Sequence, residues 1–251
     1  MSSVNEVFNS NYFATFEAAR GVPHPIIQYY LWLLFPSPLA SFLDVGSGTG
    51  QFALVARSHF TNDCTILEPA QAALSRLQQT VPDAKFLNCE FEKLPDNFSR
   101  HFDAILLSEV IHLISLTPFE FVAHLQLNLS RGGRALIRTS SSSQLKTRTW
   151  YDMFPAARAL DLQRHVDLDE LEVAVQAASD LTIRRVPVDE SRWINRDTFL
   201  QWFERQAFST LRLIDSDDYA RGMTSLRSAL SSQTKVWHDY VMTAVIIERS
   251  E

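Results

Sequence analysis

Three glycines stand at alternate positions, 46, 48 and 50, in the string Leu43-Asp44-Val45-Gly46-Ser47-Gly48-Thr49-Gly50, in a chain that has only seven glycines. A short apolar run leads into them and a helical pattern, Gln51–Phe60, follows. Glycine in such a strand-to-helix turn lets the backbone bend tightly and approach a ligand without a Cβ in the way. The helix N-terminus behind it offers N–H groups to a polar or anionic moiety. Asp44, two residues before the first glycine, is a poor neighbour for a pyrophosphate and a good one for a ligand that carries a cationic amine. Glu68 closes the next apolar run, and an acid about 20 residues past a glycine loop, at the following strand's end, accepts hydrogen bonds from ribose hydroxyls. The dinucleotide fingerprint G-x-G-x-x-G needs glycine where this chain has Gln51.

These residues need a scaffold, and the pattern around them supplies one. Phe42–Val45, Thr65–Leu67, Lys85–Leu87, Asp103–Leu107 and Arg134–Thr139 read as strands, the last entered through Gly132-Gly133. Helical patterns over Gln51–Phe60, Ala70–Thr80 and Phe119–Leu129 fall between them. Strand and helix in alternation predict an α/β fold, a Rossmann-like, doubly wound sheet of seven mostly parallel strands. Residues 7–35 read as helical, broken by Pro23 and Pro25. After Thr139 the alternation fails: 144–180 reads as helical with a break at Pro155, Leu181–Val188 as β, 197–213 and 217–238 as helical, and Ala244–Glu248 as a last strand. The expected organisation is one domain over 1–251. Residues 1–40 form an N-terminal helical lid, 41–141 the ligand-binding half, 142–180 and 195–238 helical cap insertions, and 181–194 and 241–250 the last strands.

Composition removes several classes. At 251 residues, 46% hydrophobic and 21% charged, with a mean hydropathy of −0.08, the chain is ordinary for one sizeable globular domain. A formal charge of −6 with no basic tail argues against nucleic-acid binding and against a polybasic membrane contact. Cys64 and Cys89, the only cysteines, have no CxxC pairing, so neither a disulfide scaffold nor a thiolate metal site is expected, and a reducing cytoplasm fits. The N-terminal residues lack the pattern of a secretory signal, and the apolar run Ile26–Phe35 is too short to span a bilayer.

LDVGSGTG, ILEPA, NCEFEKLP, FDAILLSEVIHLI and LSRGGRALI, in that order and spacing, resemble the class I S-adenosyl-methionine-dependent methyltransferases, in the branch that modifies small molecules. The resemblance covers about residues 12–140 and loosely the remainder. It implies S-adenosyl-methionine as cofactor and S-adenosyl-homocysteine (SAH) as product. Gly46, Ser47 and Gly48 would border the methionine part, Asp44 would face its amine, and Glu68, followed by Pro69, would take the ribose hydroxyls. Glu90 and the backbone of Phe91 would meet the adenine, although Cys89, Glu90 and Phe91 depart from the usual G-D-A. Ser108 would contact the cofactor from the loop after the fourth strand. Phe16…Arg20…Pro23 resembles a Y-x-x-x-R-x-x-P element, which gives Arg20 to the cofactor carboxylate.

The resemblance implies that the protein aligns an acceptor with the methyl group and removes a proton where the acceptor is a hydroxyl. His112 is the candidate base, with Glu109 as an alternative and a lining role for His112 the competing reading. Tyr12, Phe16, Trp150, Tyr151, Phe154 and Trp193, with His112, are the candidate acceptor contacts, with Phe13 and Trp202 behind them. Rings make good walls for an apolar or aromatic metabolite, of the kind met in secondary metabolism, and they also make good cores. Two other readings stay open: a nicotinamide-dependent oxidoreductase on a related fold, and a binding or scaffold protein that has kept the fold without the activity. No metal site is expected.

Overall fold

The computed structural model describes residues 21–38, 40–94 and 101–251. Along the chain run α1 (His24–Leu34), β1 (Phe42–Val45), α2 (Gln51–His59), β2 (Cys64–Leu67), α3 (Gln71–Thr80), β3 (Lys85–Leu87), β4 (Phe102–Ser108), α4 (Pro118–Asn128) and β5 (Leu129–Thr139). There follow α5 (Ser142–Thr147), α6 (Pro155–Arg164), α7 (Leu168–Ala177), β6 (Leu181–Asp189), β7 (Arg192–Asn195), α8 (Arg196–Glu204), α9 (Ser216–Ala229), β8 (Lys235–His238) and β9 (Val241–Arg249). Two compact units result. One comprises Val22–Thr139, Val166–Pro187 and Thr243–Glu251; the other, among the described residues, comprises Gly21, Ser140–His165 and Val188–Met242.

The first unit holds a seven-stranded sheet in the order β3-β2-β1-β4-β5-β9-β6. β3, β2, β1, β4 and β5 run parallel, and β9 lies antiparallel to β5. Every residue of β1 and β2 is buried, the pattern of strands covered on both faces, which read as continuous apolar runs instead of alternating ones. One core joins Leu43, Ile105 and Ile137 of the sheet to Phe121, Val122 and Leu125 of α4 and Leu171 and Val175 of α7. The helices start where local chemistry tells them to. Thr117 and Glu120 form a reciprocal capping box at α4, with Pro118 in the first turn, and Asp167 caps α7.

The second unit has its own core of rings and aliphatics: Trp150, Tyr151, Phe154, Phe199, Trp202, Phe203 and Phe208 pack with Leu145, Ile194, Leu211 and Leu226.

Several boundaries differ from the sequence expectation. β5 pairs back to Leu129: Phe102 faces Leu129 while Ala104 faces Arg134, so the intervening residues with Gly132-Gly133 form an irregularity inside the strand pair. The helix expected over 217–238 stops at Ala229. Lys235–His238 instead pairs antiparallel with Arg192–Asn195 as a two-stranded ribbon. The polar Ser231-Ser232-Gln233-Thr234 supports a helix poorly, and Val236 and Trp237 suit a strand that can set Trp237 opposite Trp193. The helix expected over 197–213 ends at Glu204, where Gln206 takes a left-handed φ of 50° and the amide of Ala207 reaches back to Trp202 O at 2.8 Å. The stretch 144–180 resolves into three helices, divided between the two units.

Candidate functional site

The ends of β1 and β2 lie side by side, with Val45 opposite Leu67. Each strand therefore delivers one carboxylate to the same sheet edge. Asp44, 2% exposed, accepts the Ser47 hydroxyl at 2.6 Å. Burial pushes its carboxyl up to about 7. The Ser47 hydroxyl opposes that shift, the Glu68 charge adds to it, and the Ala53 amide in the first turn of α2 opposes it. Glu68, 5% exposed, accepts the Gly48 amide at 3.0 Å on one oxygen and the Ala70 amide at 2.9 Å on the other. Burial raises its carboxyl too, against the pull of those two amides. Among the described residues no cation contributes to the shift of either group.

The glycine loop is fixed between these acids. Gly46, Gly48 and Gly50 all have positive φ, at 62°, 57° and 81°. The Gly46 amide donates to Leu67 O at 2.7 Å and the Gly50 amide to Ser47 O at 2.9 Å. At Gly46 the requirement is double. The backbone is left-handed, and an added Cβ would lie 2.6 Å from Val110 Cγ1, so the loop after β4 sits directly on the glycine turn.

The remaining edge is built by β3 and β4. Asn88, just past β3, donates to Glu68 O at 2.9 Å and to Pro69 O at 3.2 Å, which ties two strand ends together. Glu90 is half-buried and pairs with Lys93 at 2.7 Å. The Phe91 ring is buried against His124 and Phe121, and His124 Nε2 bonds the Phe91 carbonyl at 2.7 Å. Ser108 closes β4, half-buried. Glu109 follows with a φ of 55°, and a short 3-10 turn, Ile111–Leu113, carries the half-buried His112.

Within the first unit the structure thus gathers Asp44, Gly46, Ser47, Gly48, Glu68, Pro69, Glu90, Phe91, Ser108 and His112 at the carboxyl ends of β1 to β4, the edge where doubly wound sheets bind ligands. Arg20, Tyr12, Phe13 and Phe16 lie outside the described residues. Trp150, Tyr151 and Phe154 are interior to the second unit. The Trp150 ring lies 4.0 Å from that of Tyr151 and 4.7 Å from that of Phe208, and Phe154 stacks on Phe203. Trp193 is 64% exposed and meets Trp237 edge to face at 5.4 Å. Among the described residues no group of three His, Cys, Asp or Glu is placed to hold a metal ion, and no helix is long and apolar enough to cross a membrane.

Sequence reasoning missed Val110, Asn88 and Arg138. The first two carry no signal of their own. Arg138 does: it is a charge inside the apolar strand Ala135-Leu136-Ile137-Arg138-Thr139, it is 2% exposed, and it pairs with Glu109 at 3.0 Å.

The donor set fits a cationic nucleoside. Two buried carboxylates held above their ordinary range are relieved by a positive ligand, and the left-handed glycines 46, 48 and 50 between them leave stretches of bare backbone in the turn. Comparison with known proteins gives the same direction. A family profile described as "Methyltransferase domain" matches residues 19–184. No curated protein matches the sequence. Among solved structures, the chain is similar to a putative methyltransferase from an antibiotic biosynthesis pathway of Anabaena variabilis, with 19% identity, 90% of this chain and 98% of that one covered, and a TM-score of 0.69. It is similar to a cyclopropane synthase of Mycobacterium tuberculosis at 13% identity, 99% of both chains and a TM-score of 0.62. It is also similar to the plantazolicin methyltransferase in complex with SAH, at 14% identity, 96% of this chain, 85% of that one and a TM-score of 0.57.

Proposed function

The chain belongs to the methyltransferase-domain family, class I and S-adenosyl-methionine-dependent, and on that premise we propose that it methylates a small, apolar or aromatic metabolite at oxygen or nitrogen. When bound, the cofactor supplies an electrophilic methyl group on a sulfonium. The observation that carries the reading is the pair of buried carboxylates, Asp44 and Glu68, on adjacent strand ends with the glycine turn between them.

In this proposal Glu68 accepts the ribose hydroxyls on the oxygens that now hold the Gly48 and Ala70 amides, with Pro69 fixing the chain behind it. Asp44 faces the amine, through water, with Ser47 orienting its carboxylate. Gly46, Ser47 and Gly48 border the methionine part, and Arg20 receives its carboxylate. Glu90 and the Phe91 backbone hold the adenine, and Ser108 borders the ligand from the end of β4. His112 takes the proton of a hydroxyl acceptor or lines the acceptor's path. The Glu109 carboxylate is engaged by Arg138, which favours His112 over Glu109 as the base. Tyr12 and Phe16 are kept as proposed acceptor contacts, as is Trp193, whose exposed ring is free to meet an apolar surface. Trp150, Tyr151 and Phe154, packed among the rings of their own unit, are proposed to serve the acceptor site as the packed backing of its contacts.

Calorimetric titration of SAH into the wild type and Glu68→Ala tests the reading. Expected is a wild-type Kd of about micromolar, a typical substrate range, lost in the variant. No heat and no thermal shift with millimolar SAH would leave a fold that has lost its cofactor. With binding in hand, a screen of candidate acceptors with labelled cofactor follows.

A further inference from the structure

The loop that carries His112 is held by more than its own turn. Glu109 is one of two non-glycine residues among those described with a positive φ, at 55°, a conformation that costs a side-chain-bearing residue about 1 kcal/mol or more unless its surroundings enforce it. Two hydrogen bonds and the burial of their partner enforce it here. The Glu109 amide donates to Arg138 O at 2.8 Å, the Arg138 Nη1 donates to Glu109 Oε2 at 3.0 Å, and Arg138 itself is almost wholly buried in β5. The guanidinium also stands 5.6 Å from the ring of Tyr30, a fully buried residue of α1. The consequence is felt one residue later, because Val110 is the side chain against Gly46, and its carbonyl accepts the Leu113 amide that closes the turn around His112.

We propose that Arg138 is a positioning residue of the cofactor site: by gripping Glu109 from β5 it latches the Ser108–Leu113 loop onto the glycine turn, setting Val110 over Gly46 and His112 at the rim. The latch acts through Glu109 and Val110, with no contact of its own to the ligand, and Tyr30 ties α1 into the same grip. This rests on the cofactor reading given above.

A buried arginine is hard to replace without unfolding, so Glu109 is the place to cut. Glu109→Gly removes the carboxylate and also the cost of the left-handed backbone, and Glu109→Gln keeps an oxygen that can accept from Arg138. Three quantities are read for each: the thermal midpoint of the empty protein, the Kd for SAH, and amide hydrogen exchange at Gly46–Gly48 and Val110–Leu113. Expected for Glu109→Gly is SAH binding weaker by roughly tenfold, more than any fall in the midpoint accounts for, and faster exchange confined to those two segments. Glu109→Gln should recover most of the affinity. Wild-type affinity in Glu109→Gly, unchanged exchange, or affinity lost only in step with the midpoint would each overturn the latch. If the wild type binds no SAH the reading of the site fails by itself, and exchange alone then decides whether the latch holds the two loops together.

Discussion

The carboxylate of Glu68, at the end of β2, accepts the amide proton of Gly48, in the turn after β1, at 3.0 Å. The loop proposed to border the cofactor and the acid proposed to take its ribose are therefore one hydrogen-bonded object, and in that proposal a ligand that engages Glu68 also sets the loop.

The first prediction follows from what each replacement of Glu68 leaves behind. Glutamine keeps the volume and one acceptor oxygen and removes a buried charge that burial already disfavours. Glu68→Gln keeps an acceptor for one of the two amides and turns an NH2 group toward the other, so the thermal midpoint of the empty protein should fall, by less than in Glu68→Ala. Its SAH affinity should fall by about tenfold or more, because hydrogen bonds to a charged acceptor contribute about 1.5–3 kcal/mol. Alanine strips the Gly48 and Ala70 amides of their partner, so Glu68→Ala should lose stability and affinity together. Scanning fluorimetry beside calorimetry separates the two, and a Gln variant that binds SAH like the wild type would remove Glu68 from the site.

The second concerns pH. Asp44 is raised from its ordinary 3.8 to about 7 by burial. The folded, empty protein therefore holds a proton that the unfolded chain has released between about pH 4 and about pH 7. Stability from this group falls as pH rises through that window and levels off above it. Binding a cationic amine reverses the preference, because it favours the ionised carboxylate. SAH affinity should then rise from pH 5.5 to 7, by at most about tenfold per unit, with a proton released that appears as a buffer-dependent heat. Asp44→Asn should flatten both dependences. Equal proton release from wild type and variant would sink the assignment.

Much of this arrangement could be read before any coordinates. Asp44 and the glycine turn are contiguous letters and Glu68 closes the next strand, all within one β-α-β unit whose geometry is set by strand, turn and helix, so spacing alone places them. Arg138 and Glu109 are also legible as types, but what joins them is the register between β4 and β5, where Ser108 lies opposite Arg138, and register is a tertiary fact. The ribbon of β7 and β8 was hidden for the same reason: Lys235–His238 is stable as a strand only because Arg192–Asn195 lies beside it. The rings of the second unit were visible as a set, yet composition cannot tell a wall from a core, and only burial shows Trp150, Tyr151 and Phe154 closed upon one another while Trp193 faces outward.

The third prediction isolates His112. It stands on the 3-10 turn after β4, on the far side of Val110 from the glycine turn in sequence, and no proposed cofactor contact depends on its ring. His112→Gln should leave the SAH Kd within about twofold while slowing transfer to a hydroxyl acceptor by about a hundredfold or more. A variant that keeps the rate assigns His112 to lining alone.

The fourth turns on a glycine where the usual rule gives the wrong sign. Gly222 sits inside α9, where replacement by alanine ordinarily stabilises a helix by about 1 kcal/mol. Here the added Cβ would lie 2.3 Å from two ring carbons of Phe154 and 2.8 Å from the carbonyl of Met153. The ring cannot simply step aside, since Phe154 is 1% exposed and stacked on Phe203 with centroids 5.4 Å apart. Overpacking of this kind costs about 1–3 kcal/mol, enough to outweigh the gain in helix propensity. Gly222→Ala should therefore destabilise the protein in urea, and adding Phe154→Leu, which clears the ring from the helix, should recover part of the loss despite removing buried surface. A stabilised Gly222→Ala would mean that the helix can lift from Phe154 at little cost, and the close approach of α9 to that ring would then not be what orders the aromatic core.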